Sequence, residues 1–77
     1  MDTRGYSKQT IKANAEADQK LPGVKLGRFC IRRDIPVAFV SEKLGVSRAS
    51  IYRWFLGEWG PRQAHIAKIE AFLKEYR

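Results

Sequence analysis

The sequence predicts an all-α fold, a small bundle of four to five helices, and three observations carry that reading. Apolar side chains recur at three- and four-residue intervals through residues 24–76, the period of one face of an α-helix. Glycine and proline fall between those runs, at Pro22-Gly23, Pro36, Gly45, Gly57 and Gly60-Pro61, where they end one helix or begin the next. No stretch carries the alternating pattern of a strand. At 77 residues there is room for one domain with a modest core, burying about 60% of its unfolded surface, and none for a deep enzyme cleft.

Residues 1–20 read as a basic, polar N-terminal arm or a loosely docked helix, ahead of a domain formed by residues 21–77. Lys8, Gln9, Asn14 and Gln19 alternate there with Ala13, Ala15 and Ala17, and Ile11 is the one large aliphatic side chain. Residues 7–20 favour helix by propensity, with Ser7 as an N-cap and Glu16 four residues before Lys20, but their apolar stripe is mostly alanine. Arg4, Lys8 and Lys12 would suit a phosphate-tracking arm as well as a solvated tail. Leu21-Pro22-Gly23 then reads as a break.

A first core helix follows over residues 24–33, with Leu26, Phe29, Cys30 and Ile31 near one face and Lys25, Arg28 and Arg32 on the other. Asp34-Ile35 connects to a second helix, whose first turn suits Pro36. Its face is Val37, Val40, Ser41 and Leu44. Gly45 should end it in a sharp turn, Val46 should pack beneath that turn, and Ser47 should cap the next helix. That helix runs over 48–56, burying Ile51, Trp54 and Phe55 and turning Arg48, Ala49, Tyr52 and Arg53 outward. Gly57 stops it. Pro61 is expected as the first position of a last helix whose stripe is Ile66, Ile69, Phe72, Leu73 and Tyr76.

Charge and special residues narrow the function classes. Lys and Arg number 15 against 8 Asp and Glu, a formal charge of +7 that favours an acidic partner such as nucleic acid. The single cysteine, Cys30, forms no internal disulfide and sits between apolar neighbours, which fits a reducing cytoplasm. His65, the only histidine, is remote from it in sequence, so no metal site is expected, and no cofactor. No signal peptide or membrane-spanning run is expected from the apolar pattern. Ser47 and Ser50 have no base near them in sequence, so no catalytic residues and no enzyme activity are expected.

Residues 37–55, VAFVSEKLGVSRASIYRWF, carry the informative pattern. They resemble the helix-turn-helix of the Cro and phage-repressor type of DNA-binding regulator, a lambda-repressor-like bundle. The family's small residue at the fifth motif position is here Ser41, its glycine at the ninth is Gly45, and its aliphatic positions are Val40, Leu44, Val46 and Ile51. The resemblance extends over about residues 26–73, through LGRFCIRRD on one side and IYRWFLGEWGP on the other. Ser41 departs from the commoner alanine, and Ala38 and Phe39 stand where polar residues usually begin the helix.

The resemblance implies a sequence-specific regulator of double-stranded DNA, more often a repressor, in the cytoplasm of a bacterium or encoded by a phage. The second helix of such a motif enters the major groove, and dimers engage half-sites one helical turn apart, about 34 Å. Carried onto this chain, Arg48, Ala49, Tyr52 and Arg53 are the base-reading candidates. Ser47, Ser50, Lys43 and Arg62 are the phosphate-contact candidates. An arginine fork matches guanine O6 and N7, and alanine can meet a thymine methyl. A homodimer through the last helix is the expected assembly.

Two other readings compete with that one. A helix-turn-helix fold also serves as a protein-interaction module, for example a phage protein acting on host machinery, and Phe39 and Trp59 would then be the partner surface. A targeting domain of the kind attached to recombinases would bind DNA without chemistry of its own.

Overall fold

Five helices occupy the described residues, 6–58 and 60–77, of the computed structural model: α1 (Lys8–Glu16), α2 (Pro22–Arg33), α3 (Val37–Leu44), α4 (Arg48–Leu56) and α5 (Gln63–Tyr76). No strand forms among those residues, and none of these helices is long and apolar enough to cross a membrane. The all-α bundle expected from the sequence is therefore the observed architecture. Trp59 and Arg4 lie outside the described residues.

The bundle is organised around α2, which packs most extensively on α4 and touches α1 and α5 on its flanks. Two glycines one turn apart make that seam. A Cβ at Gly23 would stand 2.6 Å from the Trp54 Cβ and 2.9 Å from its carbonyl oxygen, and one at Gly27 would stand 2.7 Å from the Phe55 ring. Missing side chains on α2 thus admit the two buried aromatic side chains of α4, and Phe55 and Trp54 join Leu26, Cys30 and Ile51 in the core. From the other elements, Val37, Val40 and Leu44 of α3 and Ile69 and Phe72 of α5 complete it.

The structure moves several boundaries. The helix expected over 24–33 begins at Pro22, because proline at the first helical position lacks only an amide that would be orphaned anyway. The break lies instead at residues 17–21, where Gln19 Nε2 donates to the carbonyls of Asn14 and Ala17. Glu16 and Lys20 therefore never become an i,i+4 helical pair, since α1 ends at Glu16. Ser7 does cap α1, accepting from the Thr10 amide. At the other end α5 starts at Gln63 with Arg62 as N-cap, two residues later than Pro61 would have it.

The larger difference concerns how the N-terminal segment is held. Tyr6 and Asn14 are each at least 95% buried. The Tyr6 hydroxyl donates to the Ile35 carbonyl at the α2–α3 turn, and its ring lies 6.1 Å from that of Phe55. Burial, with smaller contributions from Cys30, Tyr52 and Asp34, holds the Tyr6 phenol well above its ordinary pKa. Asn14 Nδ2 donates to Val24 O at 3.1 Å and to Phe55 O at 2.8 Å. One amide thereby ties α1 to both α2 and α4, a role that propensity alone does not reveal.

Candidate nucleic-acid interface

The α3–α4 corner is built from residues 41–47. Gly45 takes φ +67°, and its amide and that of Val46 both donate to Ser41 O, at 2.9 and 3.1 Å. A Cβ on Gly45 would meet nothing within 4 Å, so glycine is needed there for its left-handed backbone and not for space. Ser41 Oγ then donates to the Val46 carbonyl. This explains serine where the resembled motif prefers alanine: the hydroxyl is small enough for the helix crossing and satisfies a turn carbonyl. Val46 packs against the core as expected.

The recognition-helix candidate α4 starts at the expected residue, with Ser47 as N-cap accepting from the Ser50 amide at 3.2 Å. Its inner face holds Ile51, Trp54 and Phe55, all buried. Arg48, Ala49 and Arg53 are exposed. Ala49 and Arg53 stand one turn apart on the outward side, and Arg48 stands one turn before Tyr52. Tyr52 is only half-exposed, its ring lying 6.5 Å from Phe55 in an edge-on arrangement. The tyrosine therefore supports the rim of this face while the two arginines and the alanine form its open part. At the far end, the Glu58 amide donates to Arg53 O and the Gly57 amide to Trp54 O, so the last turn is closed by backbone and by Asn14.

The four phosphate-contact candidates divide into two places. Ser47 Oγ donates to Ser50 Oγ at 3.0 Å, and Ser50 lines a shallow cleft of about 160 Å³ with Arg62, Trp54 and His65. Ser47, Ser50 and Arg62 thus gather beside the N-terminus of α4. His65, set aside by sequence reading, joins them, its ring 5.4 Å from Trp54. Only its spacing of three from Arg62, one turn of α5, hinted at this.

Lys43 stands apart from that group. Its ammonium lies 5.6 Å over the Phe39 ring and 6.0 Å over Tyr76, and a bond to the Tyr76 hydroxyl raises its pKa above the ordinary value. Lys43 is turned toward α5, where it shares a hollow with Lys68 and Glu75. Phe39, the expected partner anchor, meets Tyr76 edge-on at 5.5 Å and Phe72 at 6.3 Å. It packs on the end of α5 and is half-buried there. Its proposed companion Trp59 lies outside the described residues.

Chemically, the open face offers two guanidinium forks about one and a half turns apart on a helix nine residues long. Such forks suit planar or anionic acceptors. Comparison with known protein families, with characterised proteins and with solved structures finds no match to this chain.

Proposed function

We propose that this protein binds double-stranded DNA sequence-specifically, laying α4 in the major groove, and acts as a transcriptional regulator, in the usual case a repressor. The observation that carries this reading is the exposure of Arg48, Ala49 and Arg53 on one helix whose opposite face is wholly buried. A helix exposed on that side can enter a groove about 12 Å wide. Arg48 and Arg53 would each pair bidentately with a guanine, and Ala49 would meet a thymine methyl. Ser47, Ser50 and Arg62, gathered at the start of α4, would hold backbone phosphates and fix the helix in register. The net charge of +7 supports attraction to the duplex without specifying sequence.

The protein would act in the cytoplasm, without a cofactor or metal and without catalysis, and a homodimer would double the footprint. The protein-module alternative is less well supported, because Phe39 is engaged with Tyr76 and Phe72 inside the molecule.

Site selection from a random duplex pool tests the proposal. Wild type should enrich a guanine-containing site, two-fold if the protein dimerises, and the Arg48→Ala/Arg53→Ala variant should enrich none. Equal enrichment by both proteins, or none by either, would overturn it.

A further inference from the structure

Between α1 and α2 runs a groove of about 170 Å³ whose floor is apolar, formed by Ile11 and Ala15 of α1 and Ile31 of α2. Arg28 and Arg32, both exposed, line its α2 side. No carboxylate lines it, and neither guanidinium has a hydrogen-bond or ion-pair partner among the described residues. Lys8 and Lys12, also exposed, lie on α1 within one turn of Ile11. The one acidic side chain of α1, Glu16, sits at the helix end. Neither wall of the groove belongs to α4, so filling it would not involve the helix that carries Arg48 and Arg53.

We infer that this groove docks an acidic segment of a partner protein, which seats one apolar side chain against Ile11 and Ile31 and two carboxylates on Arg28 and Arg32. The inference is independent of the DNA-binding reading, since it uses no residue of α4. Charge complementarity selects an acidic occupant: Arg28 and Arg32 line a concave apolar patch, Lys8 and Lys12 flank it, and no carboxylate among the described residues lines it. Geometry sets the spacing. Arg28 and Arg32 are one turn apart, about 6 Å along the helix. That matches acidic residues one turn apart on a helix, or two apart on an extended chain at about 3.3 Å per residue. Each arginine can grip a carboxylate with two parallel bonds. Duplex DNA fits less well, because phosphates have no apolar group for the floor and would have to lose water above it.

The test is selection of binders from a displayed library of random peptides on the whole protein, with counter-selection on an Arg28→Glu/Arg32→Glu variant. Sequences with Asp or Glu flanking Leu, Ile or Phe should emerge. The best of these should bind the charge-reversed variant at least about tenfold more weakly, as expected on losing two charge-assisted contacts. A second variant, Ala15→Gln, fills the groove without changing charge and should also weaken the peptide. Arg48→Ala/Arg53→Ala should leave it unaffected, which separates this inference from the DNA reading. Enrichment of the same peptides on wild type and Arg28→Glu/Arg32→Glu, or of peptides without acidic residues, would overturn the inference. So would a mixed-sequence duplex that competes for the groove, which would make it a nucleic-acid surface instead.

Discussion

Asn14 Nδ2 sits 2.8 Å from the carbonyl oxygen of Phe55, in the last turn of the exposed arginine helix and 41 residues along the chain. A side chain on α1 thus completes the hydrogen bonding of α4. Asn14→Ala removes both donated bonds and leaves the Phe55 carbonyl buried without that donor, a loss of about 2–3 kcal/mol in urea unfolding. Asn14→Asp should cost more at neutral pH, because its carboxylate would face two carbonyl oxygens.

The glycine seam makes an opposite kind of test, since adding atoms should do the damage. Alanine favours helix over glycine by up to about 1 kcal/mol. Gly23→Ala and Gly27→Ala should nevertheless each destabilise by about 1–3 kcal/mol, because the new methyl meets α4 within 3 Å. Gly60→Ala, with nothing within 4 Å of its added Cβ, should change the unfolding midpoint little, within about 0.5 kcal/mol.

At the α3–α4 corner, conformation and hydrogen bonding can be separated. Gly45→Ala should cost about 1–2 kcal/mol through its left-handed backbone alone. Ser41→Ala should cost about 1 kcal/mol through the Val46 carbonyl, although alanine is the residue the resembled motif prefers. Thermal melts of the two single variants and the double variant would show whether the two effects add.

DNA titrations should distinguish the cations by place. Arg48→Ala or Arg53→Ala should weaken a selected site by roughly 5- to 150-fold, the range of one lost bidentate base contact. Arg62→Ala should weaken all duplexes alike and lower the slope of log affinity against log salt by about 0.9, one phosphate's share. Lys43→Ala should leave both quantities unchanged, because that ammonium is engaged with Tyr76 and Phe39. A fall in the salt slope for Lys43→Ala would put α3 on the phosphate backbone after all.

Alkaline pH should unfold the protein earlier than its composition suggests. Burial pushes the Cys30 thiol up to about 12 from its ordinary 9.0, and the Tyr6 phenol is raised as well. Both groups hold their protons more tightly folded than unfolded, so their contribution is intact below about pH 9 and lost as pH rises toward 12. Cys30 alone should give a slope of up to about 1.4 kcal/mol per pH unit in that window. Cys30→Ala should flatten the slope between pH 9 and 10, where tyrosine contributes little, while costing about 1 kcal/mol at neutral pH for the cavity.

The helices from residue 24 onward and the α3–α4 corner were legible because local chemistry decides them. Val40, Leu44 and Ile51 repeat at helical spacing, Gly45 permits a left-handed backbone, and Ser47 caps α4 where expected. The placement of Lys43 and Phe39 was not legible, because it depends on Tyr76, more than 30 residues away. The docking of the N-terminal segment was hidden for a related reason. Tyr6 and Asn14 look like surface residues until Ile35, Val24 and Phe55 are brought to them. Gly23 and Gly27 carried the missing signal: two glycines one turn apart inside a helix are unfavourable unless something large must pass.

The partners of Tyr6 and Asn14 also impose an order in time. A nine-residue helix with a mostly alanine stripe is marginal alone in water. During synthesis Tyr6 and α1 are made before α2 to α4, yet the carbonyls that Tyr6 and Asn14 need, Ile35 and Phe55, follow 29 and 41 residues after them. Of α1, α2, α3 and α4, the one made before the others is thus the one that must wait for all of them. Until then Gly23 and Gly27 present an open seam, and the nascent chain is vulnerable to proteases and to wrong partners along α2 for as long as α4 is still being made.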